Sequence, residues 1–352
     1  MRKLASIQVV NAVEPIPGAD ALDRIRVLGW WVVAKKGEHA AGDRLVYCEI
    51  DSLLPERAEF EFLRAGSFKP AQFDEAGTEI LPPGFRIRTV KLRGQVSQGI
   101  CFPLAILPAD APTDEGSDVT ASLGVRKWEP PIPVGMGGTV KGPFPAFLPR
   151  TDETRVQLLE SVLERHRGKT LYVTEKLDGT SFTALLREDE FGICSRNLWM
   201  DETSRTNLLA RLAQATRLEE KLRSARDRLG FDVAVQAEVI GPGVQKNKYA
   251  LPTLAMRVFN VLNVDSGRLL DHPQALALLE EAGLEPVPQL GTLVLDHTID
   301  ELVAFSEGAS VLNPRIQREG VVFRPLVEEQ DEELGRLSFK AINPKFLLKY
   351  DE

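Results

Sequence analysis

The sequence predicts an α+β protein in two parts: a small OB-like β-barrel, then a domain of antiparallel sheets with helices packed against them. Three observations predict it. Residues 1–125 carry five or so short segments rich in β-branched and aromatic residues, closely spaced and separated by turn residues. Residues 127–149, KWEPPIPVGMGGTVKGPFPAFLP, are dense in proline and glycine and show no helical period. From Thr151 onward, helix-period and strand-like segments alternate. The expected organisation is a barrel over 1–125, a semi-rigid linker over 126–150 and a second domain over 151–352.

In the first part, ASIQVVNAVEPIPGAD reads as a strand running into a Pro/Gly turn, and DRIRVLGWWVVAKKGE and DRLVYCEIDSLLP supply further strands. FRIRTVKLRG and SQGICFPLAIL follow a Pro- and Gly-rich excursion at 66–84. In the second part, TDETRVQLLESVLERHRG reads as a helix: a cap residue, an acidic first turn, leucines at helical spacing and a stop at Gly168. LYVTEKLDGTSFTALLRE reads strand, turn, strand, which puts Lys176 at a strand end. RTNLLARLAQATRLEEKLRSARDRLG reads as one long amphipathic helix closed by Gly230. FDVAVQAEVIG, AMRVFNVLNVD, EGVVFRPL and RLSFKAIN are strands, with helices near 273–282 and 298–308.

Composition narrows the function. At 352 residues the chain is long enough for two cores. No apolar run approaches the roughly 18 residues of a membrane helix, and Gln8, Asn11 and Glu14 interrupt any leader-like segment. Three cysteines without C-x-x-C spacing read as reduced buried thiols, and the expected location is the cytoplasm, with no membrane and no obligate protein partner. Four scattered histidines argue against histidine-based metal or triad chemistry. A net charge of −8 argues against non-specific coating of DNA, which draws its affinity from phosphate neutralisation.

The informative charges interrupt otherwise apolar strands. EKLDGTSF (175–182) sets Lys176 and Asp178 about a sharp turn; alone, it reads equally well as a solvated hairpin. Glu238 follows the apolar alternation of VAVQAEVIG, Glu319 precedes GVVF, and Lys340 lies inside LSFKAIN. Singly, such charges are more often edge-strand or snorkelling groups. Together they gather three carboxylates and two lysines in one domain, as nucleotidyl transfer requires.

A lysine that attacks phosphorus must be neutral, and an ordinary pKa near 10.4 leaves only about one molecule in a thousand neutral at pH 7.4. Depressing it by about three units takes roughly 4 kcal/mol, which a second lysine and a carboxylate-held divalent metal can supply. Hard Mg²⁺ or Mn²⁺ suits oxygen ligands without histidine, and Phe259 offers an aromatic face for adenine, though a core role is the commoner fate of such a residue.

EKLDGT, SRN (195–197), AEVIGPG, RVFNV, EGVVF and SFKAIN, in that order, resemble the motif set of the covalent nucleotidyltransferases, the superfamily of ATP-dependent RNA and DNA ligases and mRNA capping enzymes. The resemblance covers about 200 residues. DSLLPE and RIRTVKLRGQVSQG in the first part resemble the OB domain that precedes the catalytic domain in RNA ligases of the Deinococcus and Naegleria type. It implies Lys176 as the nucleophile that forms lysyl-AMP, Glu175 beside adenine, Arg196 on the sugar-phosphate, and Phe259 stacked on adenine. It also implies Glu238 on the ribose or a metal-bound water, Asp178 and Glu319 on the hydration shell of the metal, and Lys340 on the α-phosphate. The chain departs from the family's Lys-x-Lys at Ile342; Lys345 is a candidate replacement.

An OB-like domain placed first, with only twelve residues after Lys340, leads to the expectation of an RNA ligase rather than a DNA ligase or guanylyltransferase. The implied reaction joins 5′-phosphate and 3′-OH ends with ATP and a divalent metal, at nicks in RNA-containing duplexes. Arg86, Arg88, Lys91 and Arg93 are candidate phosphate contacts, with a change of strand face near Thr89, and an ordinary solvated strand is as good a reading of them. Lys246 and Lys248 are candidates to touch pyrophosphate or RNA. An inactive OB-fold nucleic-acid binder is the alternative of a different class; intact Lys176, Asp178, Glu238 and Glu319 oppose it.

Overall fold

Alternation shapes the first strands. In the hairpin of Leu22–Val27 and Trp30–Lys35, Ile25, Val27, Trp30 and Val32 are buried, while Arg24, Arg26 and Trp31 occupy the opposite, half-exposed face. The computed structural model describes residues 3–74, 77–130 and 140–350. Contacts divide the chain into two units, residues 1–131 with 347–352, and residues 132–346.

In the first unit, β1 (Ala5–Pro15), β2 (Leu22–Val27), β3 (Trp30–Lys35) and β4 (Arg44–Cys48) are followed by β5 (Ser52–Leu54), β6 (Gly84–Arg86), β7 (Val90–Leu92), β8 (Gln95–Ser97) and β9 (Ile100–Phe102). An antiparallel sheet runs β9-β4-β1-β2-β3, and β8 lies beside β3, where the Gln98 N–H donates to the Trp31 carbonyl at 3.0 Å. A second sheet places β5 and β6 between Arg126–Lys127 and Phe68–Lys69. Ile7, Val46, Leu54, Phe60, Phe85 and Phe102 fill the core. The chain leaves the strand at Ile87–Thr89, between β6 and β7, which accounts for the change of face near Thr89.

Of the expected linker at 126–150, residues 131–139 lie outside the described residues. Its flanks join sheets: Arg126–Lys127 pairs with β5, and Val140–Pro143 pairs with Leu198–Met200.

The second unit is α+β, as expected. Its elements are β10 (Thr154–Arg155), α1 (Glu160–Arg165), β11 (Thr170–Lys176), β12 (Thr180–Arg187), β13 (Glu190–Cys194), β14 (Leu198–Met200), α2 (Leu208–Ala215) and α3 (Leu218–Leu229). There follow β15 (Val233–Ile240), β16 (Ala255–Asn263), α4 (His272–Glu281), β17 (Gln289–Val294), α5 (Ile299–Phe305), β18 (Gly320–Pro325) and β19 (Phe339–Ile342). One sheet of seven strands contains β14-β13-β12-β15-β16; the other runs β10-β19-β18-β11-β17. Helices α2 and α3 bury Leu209, Leu212, Leu218 and Leu222 against Phe182, Leu186 and Val235 of the first sheet. Helices α1 and α5 bury Val162, Leu163 and Leu302 against Leu171, Phe323 and Phe339 of the second.

Two helices differ from expectation. The long helix at 205–230 is two, because the Thr216 hydroxyl bonds back to the Leu212 carbonyl at 2.8 Å and Arg217 takes the left-handed conformation at φ +53°. The helix expected from Thr151 begins only at Glu160, because Thr154–Arg155 is drawn into a parallel pairing with Phe339–Lys340. Among the described residues no helix is long and apolar enough to cross a membrane.

Candidate active site

EKLDGT is not a hairpin. β11 belongs to the five-stranded sheet and β12 to the seven-stranded one, so Leu177–Gly179 is where the chain crosses between sheets. The crossing is pinned on three sides. The Asp178 N–H donates to the Tyr249 hydroxyl at 2.7 Å, the Gly179 N–H donates to Glu238 Oε1 at 3.0 Å, and Leu177 is buried with Ile240, Tyr249 and Val287. Only glycine fits at 179, because a Cβ there would stand 2.3 Å from the Val239 carbonyl oxygen.

Strand register assembles the cations. Lys176 lies opposite Gly320, which lies opposite Ile342. One row along, Thr174, Val322, Lys340 and Arg155 are aligned. With a period of two, Lys176 and Lys340 share a sheet face one row apart. Glu319, just before β18, receives the Lys176 ammonium on both carboxylate oxygens at 2.7 Å. Glycine at 320 permits the close pairing of β18 with β19, since a Cβ there would meet the Ala341 carbonyl oxygen at 2.3 Å.

The electrostatics of the ligand-free site run opposite to what attack by Lys176 requires. Burial works against the Lys176 ammonium, but Glu319, Glu238 and Asp178 outweigh it and hold its pKa above the ordinary lysine value. Lys340 moves the other way: burial, then the charges of Lys176 and Arg155, push its pKa down. Burial also raises Glu319, against the pull of Lys176, and drives Glu238 up to about 8. Desolvation leads both shifts, so a cation brought close would favour the ionised carboxylates.

The remaining candidates divide. Glu175 is 1% exposed; its Oε2 accepts the Val311 N–H at 2.7 Å, its buried Oε1 accepts no hydrogen bond, and burial raises its pKa. Phe259 is half-buried against the cluster that holds Leu177, and its carbonyl accepts from Arg324 at 3.1 Å. Arg196 pairs with Asp152 at 2.6 Å, and Asp152 also acts electrostatically on Lys340. Lys246 is exposed, with its backbone in the left-handed region.

One expectation needs correction, and two further lysines gain a defined partner. Arg86 is not a surface cation: it is 4% exposed, pairs with Asp51 at 3.1 Å and lies 3.8 Å over the Trp128 ring, whereas Arg88, Lys91 and Arg93 are exposed. Lys248, a candidate for pyrophosphate or RNA, is 13% exposed and its ammonium lies 2.5 Å from Asp178 Oδ2. Lys345, weighed as a replacement for the lysine missing at Ile342 or equally as a solvated end, has a side chain 63% exposed and pairs with Glu307 at 2.5 Å, which favours the solvated reading.

Sequence reasoning missed Arg155, Asp152 and Tyr249. Arg155 lies in the segment that reads as a helix from Thr151, and only the parallel pairing of β10 with β19 shows that it stands beside Lys340. Arg324 was also missed. It is 3% exposed and joins the sheets by donating to Glu153 at 2.7 Å, Ser338 at 2.9 Å and the Phe259 carbonyl. Among the described residues no three Asp, Glu, His or Cys side chains form a direct metal cage. Asp178, Glu238 and Glu319, whose charges all act on Lys176, are the hard oxygen donors that suit a hydrated divalent ion.

Known proteins agree with this geometry. An OB-fold domain model matches residues 4–104, and an RNA ligase model matches residues 169–342. No curated protein sequence matches. Naegleria gruberi RNA ligase with pyrophosphate is 36% identical with a TM-score of 0.87, covering 100% of this chain and 99% of that one. A mutant of the same enzyme with ATP and Mn is 35% identical with a TM-score of 0.88, covering 100% of both chains. A ligand-free mutant is 35% identical at 0.87, covering 99% of this chain and 98% of that one. With more than a third of its residues shared over its whole length, the chain belongs to the RNA ligase family.

Proposed function

We propose that the protein is an ATP-dependent RNA ligase that joins 5′-phosphate and 3′-OH ends through lysyl-AMP and an adenylylated polynucleotide, acting at nicks in RNA-containing duplexes. The observation that carries the reading is Lys176 at the crossing between two sheets, 2.7 Å from Glu319 and on one sheet face with Lys340. The Lys176 ammonium first gives a proton to water; the neutral amine attacks the α-phosphorus of ATP, the bond from that phosphorus to the oxygen shared with the β-phosphate breaks, pyrophosphate leaves with the oxygen, and the phosphoramide nitrogen releases its second proton to water. Lys340 and Arg155 face the charge that develops on the α-phosphate. Glu175 Oε1, buried without a donor, accepts the exocyclic amine of adenine, and Phe259 offers the ring face. A divalent metal, when bound by Asp178, Glu238 and Glu319 through its waters, supplies positive charge at the phosphates and draws carboxylate charge away from Lys176. Burial and Lys340 then act on the lysine without that opposition.

Arg88, Lys91 and Arg93 of the OB-fold unit, exposed on and beside the β7–β8 hairpin, are the polynucleotide contacts of this reading. Incubation with labelled ATP or GTP and Mn²⁺, followed by denaturing electrophoresis, tests it. Label from ATP alone at the chain's mass is expected. Label from GTP alone would indicate a guanylyltransferase, and no label an inactive binder.

A further inference from the structure

The loop between β15 and β16 is strained and tightly held. Gln245, Lys246, Asn247 and Ala250 all have positive φ, between +42° and +57°, and Gly241 sits at +121° where a Cβ would meet the Thr253 carbonyl oxygen at 2.7 Å. Side chains fasten it. Asn247 Nδ2 donates to the Leu251 carbonyl at 2.9 Å while its Oδ1 accepts the Leu251 N–H at 3.0 Å, and Asn313 donates to the Lys248 carbonyl at 3.1 Å. The result is Lys248, 13% exposed, with its ammonium 2.5 Å from Asp178 Oδ2. The neighbouring Tyr249 hydroxyl accepts the Asp178 N–H, so consecutive loop residues grip one aspartate by its side chain and its backbone.

Two of the three carboxylates expected around the metal are therefore closed by lysines: Glu319 by Lys176, and Asp178 by Lys248. Release of Lys176 belongs to the reaction; release of Lys248 does not, yet its ammonium already holds Asp178 Oδ2, a charge that the waters of a divalent ion would have to share. We propose that Lys248 is a built-in counter-cation that competes with the divalent metal for Asp178 and so holds down metal binding in the nucleotide-free enzyme. The strained loop keeps the ammonium in place, and the Phe346 ring, 5.7 Å from Nζ, gives the displaced charge a second seat. The proposal rests on the reading that Asp178 serves the metal.

The test measures Mn²⁺ binding to the full-length, nucleotide-free protein by the electron paramagnetic resonance signal of free Mn²⁺. Lys248→Met and Lys248→Gln should each bind Mn²⁺ about tenfold tighter than wild type, within the range of ordinary coupling between sites. Lys248→Arg, which keeps the charge, should bind as wild type does. In melting experiments, saturating Mn²⁺ should raise Tm more in Lys248→Met than in wild type, because the variant loses its internal counter-ion and gains more from the external one. Unchanged or weaker Mn²⁺ binding by both neutral variants overturns the proposal. Asp178→Asn separates the two readings: unchanged Mn²⁺ binding there means Asp178 does not serve the metal, and both readings fall together.

Discussion

Gly179→Ala tests whether the crossing between sheets positions the chemistry. A methyl group at 179 would lie 2.3 Å from the Val239 carbonyl oxygen, 2.8 Å from Ile240 Cγ2 and 3.0 Å from Glu238 Cγ. The first of these is backbone in the middle of a sheet and cannot swing aside, so the turn must move by about an ångström. Overpacking of this kind costs about 1–3 kcal/mol of stability. The larger effect is functional: the displacement breaks the Gly179 N–H to Glu238 bond and shifts Lys176 and Asp178 relative to Glu238, and misplacing reacting groups by about 1 Å costs on the order of a hundredfold in rate. A single-turnover assay of lysyl-AMP formation, run beside a thermal melt, measures both. A folded Gly179→Ala protein that adenylylates itself at the wild-type rate would refute the reasoning.

Glu238→Gln should stabilise the metal-free protein at pH 8 and above. The Glu238 pKa is raised to about 8 in the fold, so between its unfolded value of about 4.3 and pH 8 the folded state keeps a proton that the unfolded state releases, and stability falls as pH rises. The gap in Tm over wild type should close below pH 4.5 or so. Lys345→Ala should adenylylate at the wild-type rate, given its exposed pairing with Glu307, whereas Arg155→Ala, beside Lys340, should slow adenylylation by about a hundredfold. Neutralising Arg88, Lys91 and Arg93 together should lower the slope of nick affinity against salt by about one unit per lost phosphate contact. Arg86→Ala should instead lower Tm, since it removes a buried ion pair with Asp51 and the guanidinium over the Trp128 ring.

The apolar and β-branched periodicity sufficed to read the barrel strands and the α+β second part, because burial alternates along β2 and β3 as side-chain chemistry requires. The catalytic charges were legible for a related reason: Glu238, Glu319 and Lys340 interrupt strands that are otherwise apolar. What stayed hidden depends on pairings between distant segments. Nothing local in the sequence shows that Thr154–Arg155 leaves its helical pattern to pair with β19, and so Arg155 was passed over. The basic run at 86–93 looked uniform, yet Arg86 points onto Trp128, a residue 42 positions away along the chain. Lys248 reads as a loop charge until the loop's left-handed residues fold it back on Asp178. A strand-turn-strand pattern is the same whether the turn joins neighbours in one sheet or passes between sheets, so the crossing at 177–179 shows only in the pairing.

The central claim is that Lys176 carries the nucleotide. Reaction of the full-length protein with ATP and Mn²⁺, proteolysis and mass spectrometry of the modified peptide test it directly. The account predicts a single added adenosine monophosphate on Lys176, absent from Lys176→Ala, while that variant still seals a nick supplied already adenylylated. Adenylate on another residue, or continued labelling of Lys176→Ala, would contradict it.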